Sequence, residues 1–260
     1  MLTVISPAKK MDMTPVEVAG TTEPAFAEDA AQLAKVARGL DVTGLKKLMG
    51  ISDDLARLNR DRFAEFGEQP RKPAALAFAG DTYRGLEAGT LDADALRWAQ
   101  GHLRILSGLY GLLRPLDLIE PYRLEMGSRL ATERGRTLYD WWGARLGHAL
   151  KDTARDVGAV ALVNCASQEY FGAVDTDALG LPVITPVFLE DREGGPKVVS
   201  FYAKQARGAM ARFIVENRLT DPEALAEFDS GGYAFAPELS KPGQPAFLRG
   251  AEAEARKRSA

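Results

Sequence analysis

The feature that most constrains this chain is a pair of short runs that read as buried strands, the longer of them apolar on both faces. Residues 158–164 read GAVALVN, and residues 2–5 read LTVI. A strand with one wet face alternates apolar and polar residues, whereas a run without alternation belongs in a sheet covered on both sides. Runs this short are of strand length, and their β-branched residues agree. Ser6-Pro7 stops the first, and the second ends in Asn164. A sheet covered on both faces needs helices around it, so the chain must supply them.

It does so at several places. Ala30, Leu33, Ala34 and Ala37 share one face of a helix that Gly39 ends. Leu45, Leu48 and Met49 mark a short second helix, and Ser52-Asp53-Asp54 opens a third along which Leu55, Leu58 and Arg62 are spaced. Asp92 opens a helix through Trp98 towards Leu103. A further helix starts near Thr137 or Tyr139 with Asp140 in its first turn, seated on the core by Tyr139, Trp141, Trp142, Leu146 and Leu150. Paired tryptophans can stack bases, but aromatics at helical spacing are more often core, and that reading is favoured here. Ala74–Phe78 reads as a strand, and 183–188 with 197–202 as an antiparallel pair closed by the turn DREGGP. Asp221-Pro222 restarts a short helix, and Gly231-Gly232 leads to Tyr233 and Phe235. The expected fold is mixed α/β, a single compact domain over 1–250 with a central, mostly buried β-sheet surrounded by helices. Residues 251–260 form a frayed tail, since that stretch lacks bulky apolar side chains.

Leu103–Gly127 (LRILSGLYGLLRPLDLIEPYRLEMG) joins the halves of the chain. Gly108-Leu109-Tyr110-Gly111 reads as a tight hairpin between two helical segments, because glycine tolerates the backbone a short turn needs. Turn amides beside Arg104, Arg114 and Arg123 offer a place for phosphate. A buried turn in a core is the plainer reading of the same residues.

Composition removes several function classes. A chain of 260 residues, 46% of them hydrophobic, can bury a large core. Its net charge of −3 means that any nucleic-acid surface must be a local basic cleft on an acidic body. One cysteine, Cys165, excludes an intramolecular disulfide and a cysteine-cluster metal site, and a buried thiol is its simplest role. The two histidines, His102 and His148, do not form a zinc-type pair, so no metal is expected. GxxxxGK[ST], GxGxxG after a strand and GxSxG are missing, so no cofactor is expected either. No apolar run reaches membrane-span length or signal-peptide form, which makes a cytoplasmic location the economical reading.

What remains is polar clusters after expected strands. Ser6 and Lys9 follow the first. Asp81 and Tyr83 lie in FAGDTYRGL, and Asn164, Ser167 and Glu169 lie in NCASQEY. Clusters at strand ends can converge on one cleft. Beyond them, a helix from Lys204 to Arg218 turns Ala206, Met210, Phe213 and Ile214 to one side. Lys204, Arg207, Gly208, Ala211 and Arg218 share a neighbouring face. Small residues beside cations suit a surface that tracks phosphates, and a solvated basic face explains them equally well.

Six blocks carry a resemblance: ISPAK at 5–9, FAGDTYRGL at 78–86, LSGLYGLLRPLDLIEPYRLEMG at 106–127, LYDWW at 138–142, NCASQEY at 164–170 and FYAKQARGAMARFIVENR at 201–218. Together and in this order they resemble the YaaA family of peroxide-stress proteins. The resemblance implies a cytoplasmic bacterial protein that binds duplex and distorted DNA and limits iron-linked oxidative damage. It also implies a single mixed α/β domain with a basic cleft and a helix-hairpin-helix-like element, placed here at Ser107–Leu116. Cys165 departs from the larger aliphatic residue expected in relatives, so the cysteine is not read as a shared catalytic group.

The leading expectation is a DNA-binding stress protein that does not read sequence. Arg104, Arg114, Arg123, Lys204, Arg207, Arg212 and Arg218 are its phosphate contacts, and Gly108 and Gly111 shape the hairpin. The rival is an enzyme acting on a nucleotide, nucleobase or similar small polar ligand. Its pocket would be made by Ser6, Lys9, Asp81, Tyr83, Asn164, Ser167 and Glu169, with Lys9, Asp81 and Glu169 as catalytic candidates. A third reading, iron sequestration, requires several carboxylates at one point. The sequence sets no oligomeric state.

Overall fold

A computed structural model describes residues 1–250; the expected tail at 251–260 lies outside the described residues. At its centre Leu2–Ile5, fully buried, pairs in parallel with Leu103–Ser107 on one side and Leu162–Cys165 on the other. Gly111–Leu113 adds antiparallel to Leu103–Ser107, and Val183–Ile184 adds in parallel beyond Leu162–Cys165. Together these make a five-stranded mixed sheet. The burial expected of LTVI and the double-sided burial expected of GAVALVN hold for the paired residues. The second run enters the sheet only at Leu162, and Val160 before it is exposed. A second sheet is built by Val187–Glu190, Ala246–Arg249 and Tyr233–Phe235, and Lys72–Pro73 pairs with Leu118–Ile119.

Helices cover the sheet where apolar spacing and caps place them. Ala27–Arg38 buries Ala30, Leu33, Ala34 and Ala37. Ser52, Asp92 and Thr137 each accept a backbone N–H at a helix start, and Thr137 with Asp140 forms a reciprocal capping box. The helix opened by Ser52 is turned differently from its leucine spacing: Ala56, Asn59 and Phe63 face inward, while Leu55 and Leu58 are exposed. Gly143, at φ 48°, breaks the Trp141-Trp142 helix from Arg145–Asp156. Both tryptophans are core.

Three expectations are corrected. Ala74–Ala77 is one turn of helix rather than a strand, in keeping with alanine's propensity after Pro73. Lys197 makes only an isolated bridge to Glu190, and from Ser200 the chain is already the long helix Ser200–Glu216. The arms around Gly108–Gly111 are strands, so the element is a β-hairpin and not a helical one. Its apolar arms suit either period. Pairing with Leu2–Ile5, about a hundred positions earlier in the chain, decides for strand.

Candidate functional site

The sheet order creates a crevice. From Leu2–Ile5 the chain crosses to Leu103–Ser107 on one side, while Leu162–Cys165 on the other side leads outward to Val183–Ile184. Connections that leave neighbouring parallel strands in opposite directions open a gap at the strands' carboxyl ends, the usual ligand position in open α/β sheets. Ile5 and Cys165 are register partners at that gap, and Ser6 and Ser167 follow them. There a cleft of about 530 Å³ is lined by Ser6–Lys10, Ala79–Thr82, Arg84, Cys165, Ser167, Glu169, Tyr170, Lys204 and Arg207.

Two helices form one wall. Asp81–Leu86 and Ser200–Glu216 meet backbone to backbone: a Cβ on Gly85 would stand 2.0 Å from the Gln205 carbonyl oxygen, and one on Gly208 would stand 1.8 Å from that of Thr82. Gly208 therefore serves helix packing, not the approach of a ligand. This close contact sets Asp81 and Arg84 across from Lys204 and Arg207. Arg212 anchors the pair from behind, donating to the Leu86 and Glu87 carbonyl oxygens at 3.1 and 3.0 Å and to Thr90 Oγ1 at 2.7 Å, while pairing with Glu216 at 2.7 Å. A cation on the last carbonyls of a helix stabilises its end.

The floor is a hydroxyl pair. The Ser167 N–H donates to Ser6 Oγ at 2.9 Å, and Ser6 Oγ donates to Ser167 Oγ over a longer 3.4 Å. Tyr83 is buried beneath, its hydroxyl bonded to the Ser6 carbonyl at 3.1 Å. It braces the floor and does not line the cleft. Asn164 is also a brace: its side chain accepts the Ala166 N–H at 3.0 Å. Cys165 is buried, and burial pushes its thiol up to about 12. It is not a nucleophile at neutral pH.

The charges of the cleft fall into paired and unpaired groups. Lys9 reaches Glu125 at 2.7 Å, and the same carboxylate takes Arg123 at 3.1 Å. Arg84 stands 3.4 Å from Asp81, and Glu169 accepts the Gly127 N–H at 3.0 Å. Lys204 and Arg207 line the cleft with no carboxylate at ion-pair distance among the described residues. Burial lowers the pKa of the half-buried Arg207, because taking water from a guanidinium disfavours its charged form.

Lys9, Asp81 and Glu169 thus share one cleft with Ser6 and Ser167, without bonding to one another. The expected phosphate contacts do not share one surface. Arg104 is buried, with its guanidinium on the Gln100 and Leu103 carbonyl oxygens. Arg114 is held by Asp117 and the Glu23 carbonyl oxygen. Gly108 and Gly111 are buried too: the Gly108 carbonyl accepts Trp142 Nε1–H at 3.1 Å, and a Cβ on Gly111 would strike the Trp142 ring at 2.6 Å. Within the turn the Tyr110 N–H is taken by Ser107 Oγ at 2.9 Å. Arg218 is exposed beyond the end of the long helix. Lys10 and Arg84 were not among the expected contacts, yet both line the cleft, and both lie in polar blocks that follow expected strands. Among the described residues no group of three or more His, Cys, Asp or Glu comes together as a metal site would need, and no helix is long and apolar enough to cross a membrane.

Comparison with known proteins places this architecture. The family model described as peroxide stress protein YaaA matches residues 1–239. A UPF0246 protein of Ruegeria pomeroyi is 66% identical over 253 residues, which cover 96% of this chain and 98% of that protein. UPF0246 proteins of Roseobacter denitrificans and a Jannaschia species are 62% and 61% identical, over 96% and 98% of this chain and 98% and 99% of theirs. On both grounds the chain belongs to the YaaA family of peroxide stress proteins.

Proposed function

We propose that this peroxide stress protein binds DNA through its phosphates at the cleft, without reading base edges, and so acts where iron-dependent oxidation falls. The observation that carries the reading is the pair Lys204 and Arg207. Successive turns of one helix present two cations to the cleft, and no carboxylate among the described residues lies at ion-pair distance from either. Lys10 and Arg84 extend the basic lining. An overall acidic chain does not oppose this, because a local cluster sets the local potential.

Binding of this kind is insensitive to sequence and steeply dependent on salt. The test is a salt titration with plain and mismatched duplexes on wild type and on Lys204→Ala/Arg207→Ala. The double variant should bind every duplex more weakly and flatten the slope of log K against log salt by about two, one for each lost contact. Equal affinity and slope in the two proteins would remove the surface from the account.

A second reading has its own observation: Lys9, Asp81 and Glu169 line the same strand-end cleft. An amine and two carboxylates around a pocket at that position are fit for acid–base chemistry on a nucleotide. It predicts turnover of a nucleotide that Asp81→Asn abolishes. A panel of nucleotides left unconverted by wild type would sink it.

A further inference from the structure

We propose that Ser6, Ser167, Lys204 and Arg207, which line this one cleft, form a subsite for a phosphate monoester, the terminal phosphate of a nucleic-acid end or of a free nucleotide. The proposal rests on the cleft being the phosphate-binding site argued above, and it names which phosphate the subsite prefers.

Three observations converge on it. The first is size. About 530 Å³ lies within the range of small-ligand pockets, roughly 300–1,000 Å³. A nucleotide-sized group can enter such a cleft, whereas a duplex can only lie across its mouth. The second is charge. A monoester carries about −1.5 to −2 at pH 7 and offers three acceptor oxygens, while a backbone diester carries a single charge. Two cations without carboxylate partners match the monoester better. Arg207 adds the planar fork that suits phosphate, and its burial makes a strong counter-charge worth more.

The third is the floor. Ser6 Oγ takes the Ser167 N–H and gives its own hydrogen to Ser167 Oγ. The Ser167 hydroxyl hydrogen is then available to a ligand oxygen above it. The other charged and titratable groups of the lining are Lys9 (backed by Glu125), Lys10, Asp81, Arg84, Cys165, Glu169 and Tyr170, with no histidine. A monoester has its second ionisation at about pH 6, so its affinity should rise from pH 5 to pH 7.5. A diester does not ionise there and reports any contribution of the cleft's own groups.

The test uses the full chain and a single-stranded oligonucleotide with either a 5′-phosphate or a 5′-hydroxyl, read by fluorescence anisotropy at both pH values. AMP and inorganic phosphate serve as competitors. The phosphorylated end should bind about tenfold more tightly at pH 7.5, the gain of one charge-assisted contact set. That preference should shrink at pH 5, shrink in Ser167→Ala, and vanish in Arg207→Gln, with thermal melting confirming that both variants fold. Competition by AMP but not inorganic phosphate would identify a nucleotide as the preferred source, and competition by both the phosphate alone; either supports the subsite. Equal affinity for the two ends, with no competition, would overturn the subsite and leave DNA binding standing. AMP binding without DNA binding would support the subsite and overturn the DNA reading. No binding of any probe would overturn both.

Discussion

Gly208→Ala tests the wall on which the cleft is built. The new Cβ would lie 1.8 Å from the Thr82 carbonyl oxygen and 2.9 Å from the Leu86 amide nitrogen. Ordinary carbon contacts settle near 3.5 Å, so Asp81–Leu86 and Ser200–Glu216 would have to separate by about 1.7 Å. The obstacle is helical backbone on both sides, because Gly85 makes the reciprocal contact with Gln205, and no rotamer change relieves it. Overpacking of this kind costs about 1–3 kcal/mol, and backbone obstruction belongs at the upper end. Alanine returns about 1 kcal/mol of helix propensity. A net loss of about 2 kcal/mol should lower Tm by roughly 4–8 °C in a chain of this size. Thermal and urea melts measure it, with Gly101→Ala as the control. Gly101 sits in Ala93–His102 with its nearest foreign atom at 3.4 Å, so alanine there should stabilise by about 0.5–1 kcal/mol. Stabilisation of both variants would refute the glycine contact. Because the strained helix carries Asp81 and Arg84, Gly208→Ala should also weaken ligand binding more than its loss of stability explains.

Other consequences follow from single groups. Arg249 and Glu190 are both buried and paired at 2.7 Å, with the Tyr233 hydroxyl also donating to Glu190. Arg249→Leu strands the carboxylate and should cost about 3–5 kcal/mol in a urea melt, while Arg249→Leu/Glu190→Leu should cost less. Cys165, at about 12, should be alkylated by iodoacetamide at pH 8 far more slowly in the native chain than in urea, and equal rates would contradict its burial. His102 stacks on Trp98 at 3.8 Å, and burial lowers its pKa. The unfolded chain therefore takes up this proton first. The contribution of His102 is present above the ordinary value near 6.5 and is lost as pH falls through the lowered one. His102→Phe should flatten the fall of Tm in that window.

How much of this was legible in the sequence depends on whether its cause is local. Ala30, Leu33, Ala34 and Ala37 gave their helix face through spacing alone, and Ser52, Asp92 and Thr137 gave helix starts through cap chemistry. LTVI reads as a short buried strand and is one. Ser6, Asp81 and Glu169 stood out as polar residues after apolar runs, although Asp81 follows a helical turn and not a strand. Long-range causes stayed hidden. Gly208 beside Lys204 and Arg207 looked like room for a ligand, because its true neighbour, Thr82, is far away in the chain. Leu103–Leu113 fits a helix or a strand until Leu2–Ile5 pairs with it. Arg104 and Arg114 looked basic and free, but the carbonyl oxygens and Asp117 that hold them belong to the fold.

The central claim is that a phosphate-bearing ligand meets this chain at the strand-end cleft and not at the Gly108–Gly111 hairpin. It is tested most directly by backbone amide chemical shifts during titration with a 5′-phosphorylated oligonucleotide. The account predicts that the shifts gather at Ser6–Lys10, Ala79–Arg84, Cys165–Tyr170 and Lys204–Arg207. Shifts gathered at Ser107–Leu116, with those four segments silent, would contradict it.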